Sequence, residues 1–480
     1  MKLRKIMALA LVTTMILSLA GCGAKSDTTD SAESTETVQE ETTETATEEA
    51  DVAVETTEAT EGTAFQQIVL GETGTDITTT IKWITHRTDL VESGKIDEYV
   101  KAFNAMYPNI TVEVEGVTNY ADDALLRLTS NDWGDIMMIP AVDKAELSNY
   151  FVSYGNFDSL NKDYNFITNW MYENEIYGMP STANAQGILY NKKVFEAAGI
   201  TELPKTPDEF IAALQAVKEK TDAIPLYTNY AAEWTMGAWD AYIGGSATGN
   251  ADFMNKELPY AKEPFADNGT QSGPYALYKL LYDVVSNDLI EEDYTTTDWE
   301  GCKAMINNGE IATMVLGSWA VPQMQQAGPN AADIGYMSFP ITIDGKQSAS
   351  AGPDYCYGIN ANASEDNIMA SQIFVKFMVD QSGFAFDEGG LPALRSDTNY
   401  PEVYAAFDGI EFLVDTPADT GKEDVLNELN SETELMINQG GNTKLMEIVE
   451  HAANGDMTFD EIMADWNQRW SDAQESLGIE

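Results

Sequence analysis

Positive charge is scarce in this chain. Its 480 residues include 26 Lys or Arg against 79 Asp or Glu, a formal net charge of −53. A nucleic-acid partner needs a basic footprint, so that class is excluded. Histidine occurs twice, at His86 and His451, and cysteine three times, at Cys22, Cys302 and Cys356. No CxxC pair or other metal-ligand spacing occurs, so no metal site and no cofactor is expected. Cys302 and Cys356 are read as two buried free thiols. Only the N-terminus carries a long apolar run, and no later stretch is apolar enough to span a bilayer. No nucleophile elbow, zinc signature or P-loop is present; residues 244–249, Gly-Gly-Ser-Ala-Thr-Gly, lack the Lys of a phosphate cradle.

The N-terminus reads as a processing segment. Lys2, Arg4 and Lys5 precede an apolar run over 6–20, and Leu19-Ala20-Gly21-Cys22 closes it. The run is short and ends in small residues, as in a signal peptide of residues 1–21. The tetrapeptide resembles a bacterial lipobox, which implies lipidation of Cys22. Residues 26–61 hold 13 acidic residues, no Lys or Arg and no aromatic. Such a segment cannot bury enough surface to offset its ordering entropy, so 22–75 is read as a lipidated cysteine and a disordered tether. It would reach on the order of 35 Å as a coil and roughly 120 Å extended.

From about Thr75 the pattern becomes that of an α/β protein. Residues 81–85 alternate like a strand, 95–107 carry Ile96, Tyr99, Val100, Phe103 and Met106 at helical spacing, and 110–114 are strand-like. A helix over 121–128 and a strand over 135–139 complete a βαβ signature of a parallel sheet. Ligands then belong at the carboxyl ends of the strands, beside the loops 85–89, 116–120 and 140–143.

Residues 177–199 organise the rest. They read as strand, small polar loop (181–186), apolar strand, and a helix begun by Asn191 and closed by Gly199. This is the signature of a hinge between two lobes. Thr206, Pro207 and Glu209 form a capping box opening a helix to about Lys220, and Thr458 with Glu461 form another. Residues 229–245 are crowded with aromatics. Helices are expected over Gly273–Ser286, Trp299–Asn308 and 364–379, and extended chain over 311–316, 334–337 and 352–359.

Several stretches together resemble family 1 bacterial extracellular solute-binding proteins, the carbohydrate-uptake group that includes maltose-binding protein. They are Tyr177-Gly178-Met179-Pro180, Gly187-Ile188-Leu189-Tyr190-Asn191-Lys192, and Pro204-Lys205-Thr206-Pro207-Asp208-Glu209. Asn308-Gly309-Glu310-Ile311-Ala312-Thr313-Met314, Gly317-Ser318-Trp319 and Gly335-Tyr336 with Phe339-Pro340 follow in family order. The resemblance implies a two-lobed periplasmic-binding-protein fold of class II type with three interlobe crossings, near 181–186, 350–355 and 391–395. One lobe would comprise 76–183 and 355–391, the other 184–354 and 392–480. It also implies a monomeric, lipid-anchored protein on the outer face of a Gram-positive cell membrane. Such a protein captures a carbohydrate, an oligosaccharide given the many aromatics, for the permease subunits of an ABC transporter.

A sugar site needs aromatic platforms and polar groups able to pair hydroxyls. The resemblance puts a sugar-stacking indole at Trp319. Trp234, Trp239 and Asp240 in the aromatic run, Asp354 and Tyr355 at the second crossing, His86 and Asp89 after the first strand, and Asn184 and Gln186 in the first hinge are the further candidates. Trp83, Trp170, Trp466 and Trp470 are assigned to packing. Two other functions fit the composition: a lipid-anchored glycoside hydrolase, since carboxylates abound, and a binder of a polyamine or peptide.

Overall fold

A computed structural model of the chain describes residues 64–479, apart from 131–132 and 440–441 and the side chains of 121–122. The expected signal peptide, Cys22 and most of the expected tether lie outside these residues.

The strands in chain order are β1 (Thr79–Thr85), β2 (Ile110–Gly116), β3 (Ile136–Met138), β4 (Gly155–Asn156), β5 (Met171–Tyr172), β6 (Glu175–Ile176), β7 (Met179–Pro180), β8 (Ala183–Asn191), β9 (Ile224–Leu226), β10 (Ile311–Gly317), β11 (Ile334–Ser338), β12 (Ser348–Pro353), β13 (Cys356–Ile359) and β14 (Glu411–Leu413). They form two main sheets. The first has the order β2-β1-β3-β13-β7, and the second β14-β12-β8-β10-β9 with β11 also on β8. A small sheet, β4-β6-β5, stands apart from both.

In the first sheet β1 pairs parallel with β2 and β3, as the βαβ reading requires, while β13 and β7 add antiparallel. Its core includes Ile81, Trp83, Phe103, Tyr357 and Phe374. This core also takes Phe65 and Ile68. Phe65 is fully buried, edge-on to Tyr154 at 5.0 Å and under the Lys376 ammonium at 5.0 Å. The folded part therefore begins by Phe65, not near Thr75. A composition argument misses this because two apolar side chains suffice to dock a short polar segment.

In the second sheet β8 is central. Ile188 enters one apolar cluster, with Phe195, Phe210 and Leu277; Leu189 enters another on the opposite face, with Met314 and Tyr336. A strand covered on both faces has no polar side to show, hence its run of apolar residues. Trp466 and Trp470 are buried in this half, in the helix Phe459–Leu477 that the complete Thr458–Glu461 capping box opens. The Thr206 box is incomplete. Its hydroxyl accepts from Glu209 N–H, but the Glu209 carboxylate reaches back to Lys205 N–H instead of Thr206 N–H. Cys302 and Cys356 are buried and unpaired.

The lobes are joined where the chain leaves one sheet for the other, at residues 181–182, at 354–355, and near 391. The expected polar loop over 181–186 is mostly strand, because β12 pairs with residues 183–185 and takes up their backbone groups. The crossings lie side by side. Ser181 N–H and Oγ both donate to Tyr355 O, Asp354 N–H donates to Thr182 O, and Ala183 and Leu391 exchange two backbone bonds of 2.9 and 2.7 Å. Gly390 lets the third crossing lie this close. A Cβ there would stand 2.0 Å from Thr182 Oγ1 and 2.9 Å from Ala183 O. Gly390→Ala is therefore expected to destabilise the protein by about 1–3 kcal/mol, seen as a lower thermal unfolding midpoint; an unchanged midpoint would mean that the crossings are not so tightly apposed.

Candidate functional site

Strand β10 is buried throughout and delivers Gly317-Ser318-Trp319 beside the first crossing. Ser318 fixes that turn. Its N–H donates to Ala185 O, its Oγ accepts from Ala185 N–H and Tyr404 O–H, and its hydroxyl donates to Asn184 Oδ1. Asn184 is buried and acts here as a hinge bond. The Trp319 indole lies back across Gly317, where a Cβ would meet its Nε1 at 2.6 Å and Gln186 Oε1 at 3.2 Å. Gln186 is half-buried next to that ring.

Two more indoles join Trp319. Its ring centroid lies 5.7 Å from Trp234 and 5.8 Å from Trp299, and Trp234 and Trp299 are 5.0 Å apart at 77°. Trp234 is 50% exposed. The aromatic run carrying it folds as short turns of 3₁₀ helix, separated by Asn229 and Glu233 at φ +57° and +52°. Left-handed backbone at a non-glycine residue costs on the order of 1–3 kcal/mol and gathers at functional sites. Trp299 begins the helix Trp299–Asn308 after the Asp298 cap. The amphipathic pattern of that helix gave no reason to single Trp299 out; only the fold brings it to the other two.

Trp239 and Asp240 are corrections. Trp239 is 2% exposed and packs edge-on against Phe339 in the second core. Asp240 is buried and accepts from Lys444 Nζ at 2.5 Å, Tyr278 O–H at 2.8 Å and Asn438 N–H at 2.9 Å. Neither is free to meet a ligand. They share the aromatic run with Trp234, but the 3₁₀ turns send them inward.

On the first lobe, His86 follows the end of β1. Its imidazole stacks on Tyr355 with centroids 4.1 Å apart and planes at 28°, and Tyr120 meets both rings edge-on. The Asp354 carboxylate accepts from Tyr355 N–H at 2.8 Å. Asp89 is exposed, and both of its oxygens are held by Arg87, at 2.9 Å from Nε and 2.7 Å from Nη2. Arg87 also reaches Glu388 at 2.5 Å, just before the third crossing. Asp89 thus orients Arg87, which lies in the expected 85–89 loop, and Glu388 joins these groups without having been singled out from the sequence. Two surface concavities, of about 320 and 500 Å³, lie elsewhere; Lys444 and Arg469 line one, Tyr275 and Gln468 the other. Among the described residues, no group of three or more His, Cys, Asp or Glu could hold a metal, and no helix is long and apolar enough to cross a membrane.

Burial pushes the His86 imidazole down to about 4; Asp354 and Asp89 oppose the shift and Arg87 adds to it. The ring is neutral at physiological pH. An unfolded chain binds the proton near the ordinary value of 6.5, so this group's contribution is lost as pH falls from about 6.5 to about 4. With only two histidines present, the imidazole ¹H resonances report the titration directly. The His86 midpoint is expected near 4, and stability relative to His86→Phe should fall by up to about 3 kcal/mol across that window. A midpoint near 6.5 would mean that the stack on Tyr355 leaves the ring in water.

Over 340 residues the chain is 26% identical to the multiple sugar-binding protein of Streptococcus mutans, covering 67% of this chain and 77% of that one. It is 52% identical to a manno-oligosaccharide-specific solute-binding protein of Bifidobacterium animalis subsp. lactis, solved in complex with mannotriose, at a TM-score of 0.81 over 87% of this chain and 99% of that one. A binding protein of an ABC transporter from the same organism, solved with mannobiose, is 53% identical at a TM-score of 0.80, with the same coverages. Residues 87–383 match the model of the bacterial extracellular solute-binding proteins, and the chain belongs to that family.

Proposed function

We propose that this protein captures manno-oligosaccharides between its lobes and hands them to the permease of an ABC importer. The observation that carries the reading is the group of Trp319, Trp234 and Trp299 at the first crossing. Hexoses present apolar C–H faces, and a partly exposed indole is the side chain best suited to stack on them. The identities of 52% and 53% to proteins solved with mannotriose and mannobiose favour mannose units. Polar contacts would come from Gln186 on one side of the cleft and from His86, Tyr355, Asp354 and Arg87 on the other.

The mechanism needs no chemistry. Open and closed arrangements exchange by bending at the crossings, and ligand that touches both walls stabilises the closed one. Covalent turnover is no part of the reading. The first lobe then takes residues 64–182 and 355–391, and the second 183–354 and 392–479. Cys22 carries the lipid, and residues 23–63 tether a monomeric domain to the outer face of the membrane.

Two measurements test it. Trp319→Ala should weaken mannotriose binding in calorimetry by on the order of 1–3 kcal/mol with the fold intact; undiminished binding would remove Trp319 from the site. Cys22→Ser should shift the protein from the membrane fraction to the soluble one; continued retention would contradict the lipid anchor.

A further inference from the structure

We propose that Trp299, with Lys303 on its face, is a positioning residue that sets the angle between the two sugar-facing indoles, Trp234 and Trp319. This rests on the reading of those two as the sugar platform.

Trp299 is the member of the trio already in use on its own side. The Lys303 ammonium stands 4.8 Å over its ring, and Lys303 is in turn held by Glu300 at 2.9 Å. A cation over an indole face is attracted by the ring quadrupole and covers that face. Trp299 meets Trp234 nearly at right angles, 77°, and Trp319 at 54°. The edge-to-face contact with Trp234 fixes orientation as well as distance, and the tilted contact with Trp319 adds a second constraint. Trp234 and Trp319 meet each other at 41°. Two rings at such an angle, 5.7 Å apart, suit two successive hexoses that turn relative to each other, and suit a flat face poorly.

The wedge is itself anchored. Asp298 caps the helix by accepting from Glu300 N–H at 3.0 Å, and the Tyr227 hydroxyl oxygen accepts from Asp298 N–H at 2.8 Å. Across from it, Thr228 N–H donates at 2.9 Å to the buried carboxylate of Glu291, and Ala231 N–H donates to Thr297 Oγ1 at 2.7 Å. These bonds tie the segment before Trp234 to the segment before Trp299. The relation between Trp234 and Trp299 is therefore set by bonds within the lobe, before any sugar arrives.

The test uses the full chain, mannotriose as probe, and two readouts: calorimetric affinity and the exciton couplet of neighbouring indoles in circular dichroism. Trp299→Leu should reduce affinity about threefold to tenfold, the worth of an aromatic pair, and should collapse the couplet. Trp299→Phe, which keeps an aromatic edge, should recover most of the affinity. Lys303→Gln should alter the couplet and lose affinity about twofold to threefold, and Lys303→Arg should restore both. If Trp299→Leu does not fold, the Phe, Gln and Arg variants decide by the same readouts. If Trp319→Ala weakens binding while the Trp299 and Lys303 variants bind like the wild type, the positioning role is overturned and the platform stands. If Trp319→Ala binds normally, the platform reading itself has failed.

Discussion

The fold hangs on a narrow ribbon of backbone pairing. Residues 181–183 bond on one side to Asp354 and Tyr355 and on the other to Leu391, so the three crossings run together. The first two contribute only two residues each between regular strands. Bending is therefore confined to a few backbone torsions, as a hinge requires, while hydrogen bonding across the ribbon keeps the crossings from separating. Gly390 and Ser181 are what this closeness demands: one has no side chain to intrude, and the other has a hydroxyl short enough to bond the neighbouring crossing.

The binding walls grow from the same ribbon. Ser318 bonds residues of β8 just past the first crossing, and Trp319 follows it. Tyr355 is itself a crossing residue, and its ring carries His86. Arg87, beside His86, is held by Glu388 immediately before the third crossing. Trp319, Tyr355, His86 and Arg87 thus stand beside the hinge bonds. A ligand pressing on Trp319 and on Tyr355 would act on the hinge at short range, with no relay through the cores.

Much of the architecture was legible because its signals are local. Asn191, Ser364 and Thr458 cap helices through bonds to residues two or three positions on, so their sequence contexts suffice. The apolar run of β8 announced a strand buried on both faces. What was not legible depended on distant partners. Residues 183–185 looked like loop because their strand character comes from β12, more than 160 positions away. Phe65 looked like tether until Tyr154 and Lys376 covered it. In the aromatic run, Trp234 and Trp239 are equivalent by composition; the left-handed turn at Glu233 and the Lys444 partner of Asp240 separate surface from core. Trp299 carried no signal of its own, since an aromatic at the start of an amphipathic helix is ordinary.

On the proposed reading, a manno-oligosaccharide lies between the lobes on Trp319 and Trp234, against the first crossing. A crystal structure of the chain with mannotriose tests it most directly. Successive sugar rings are expected on those two indoles, with hydroxyls met by the His86–Tyr355 wall. Mannotriose seated elsewhere, for instance in the concavity beside Lys444 and Arg469, would contradict it.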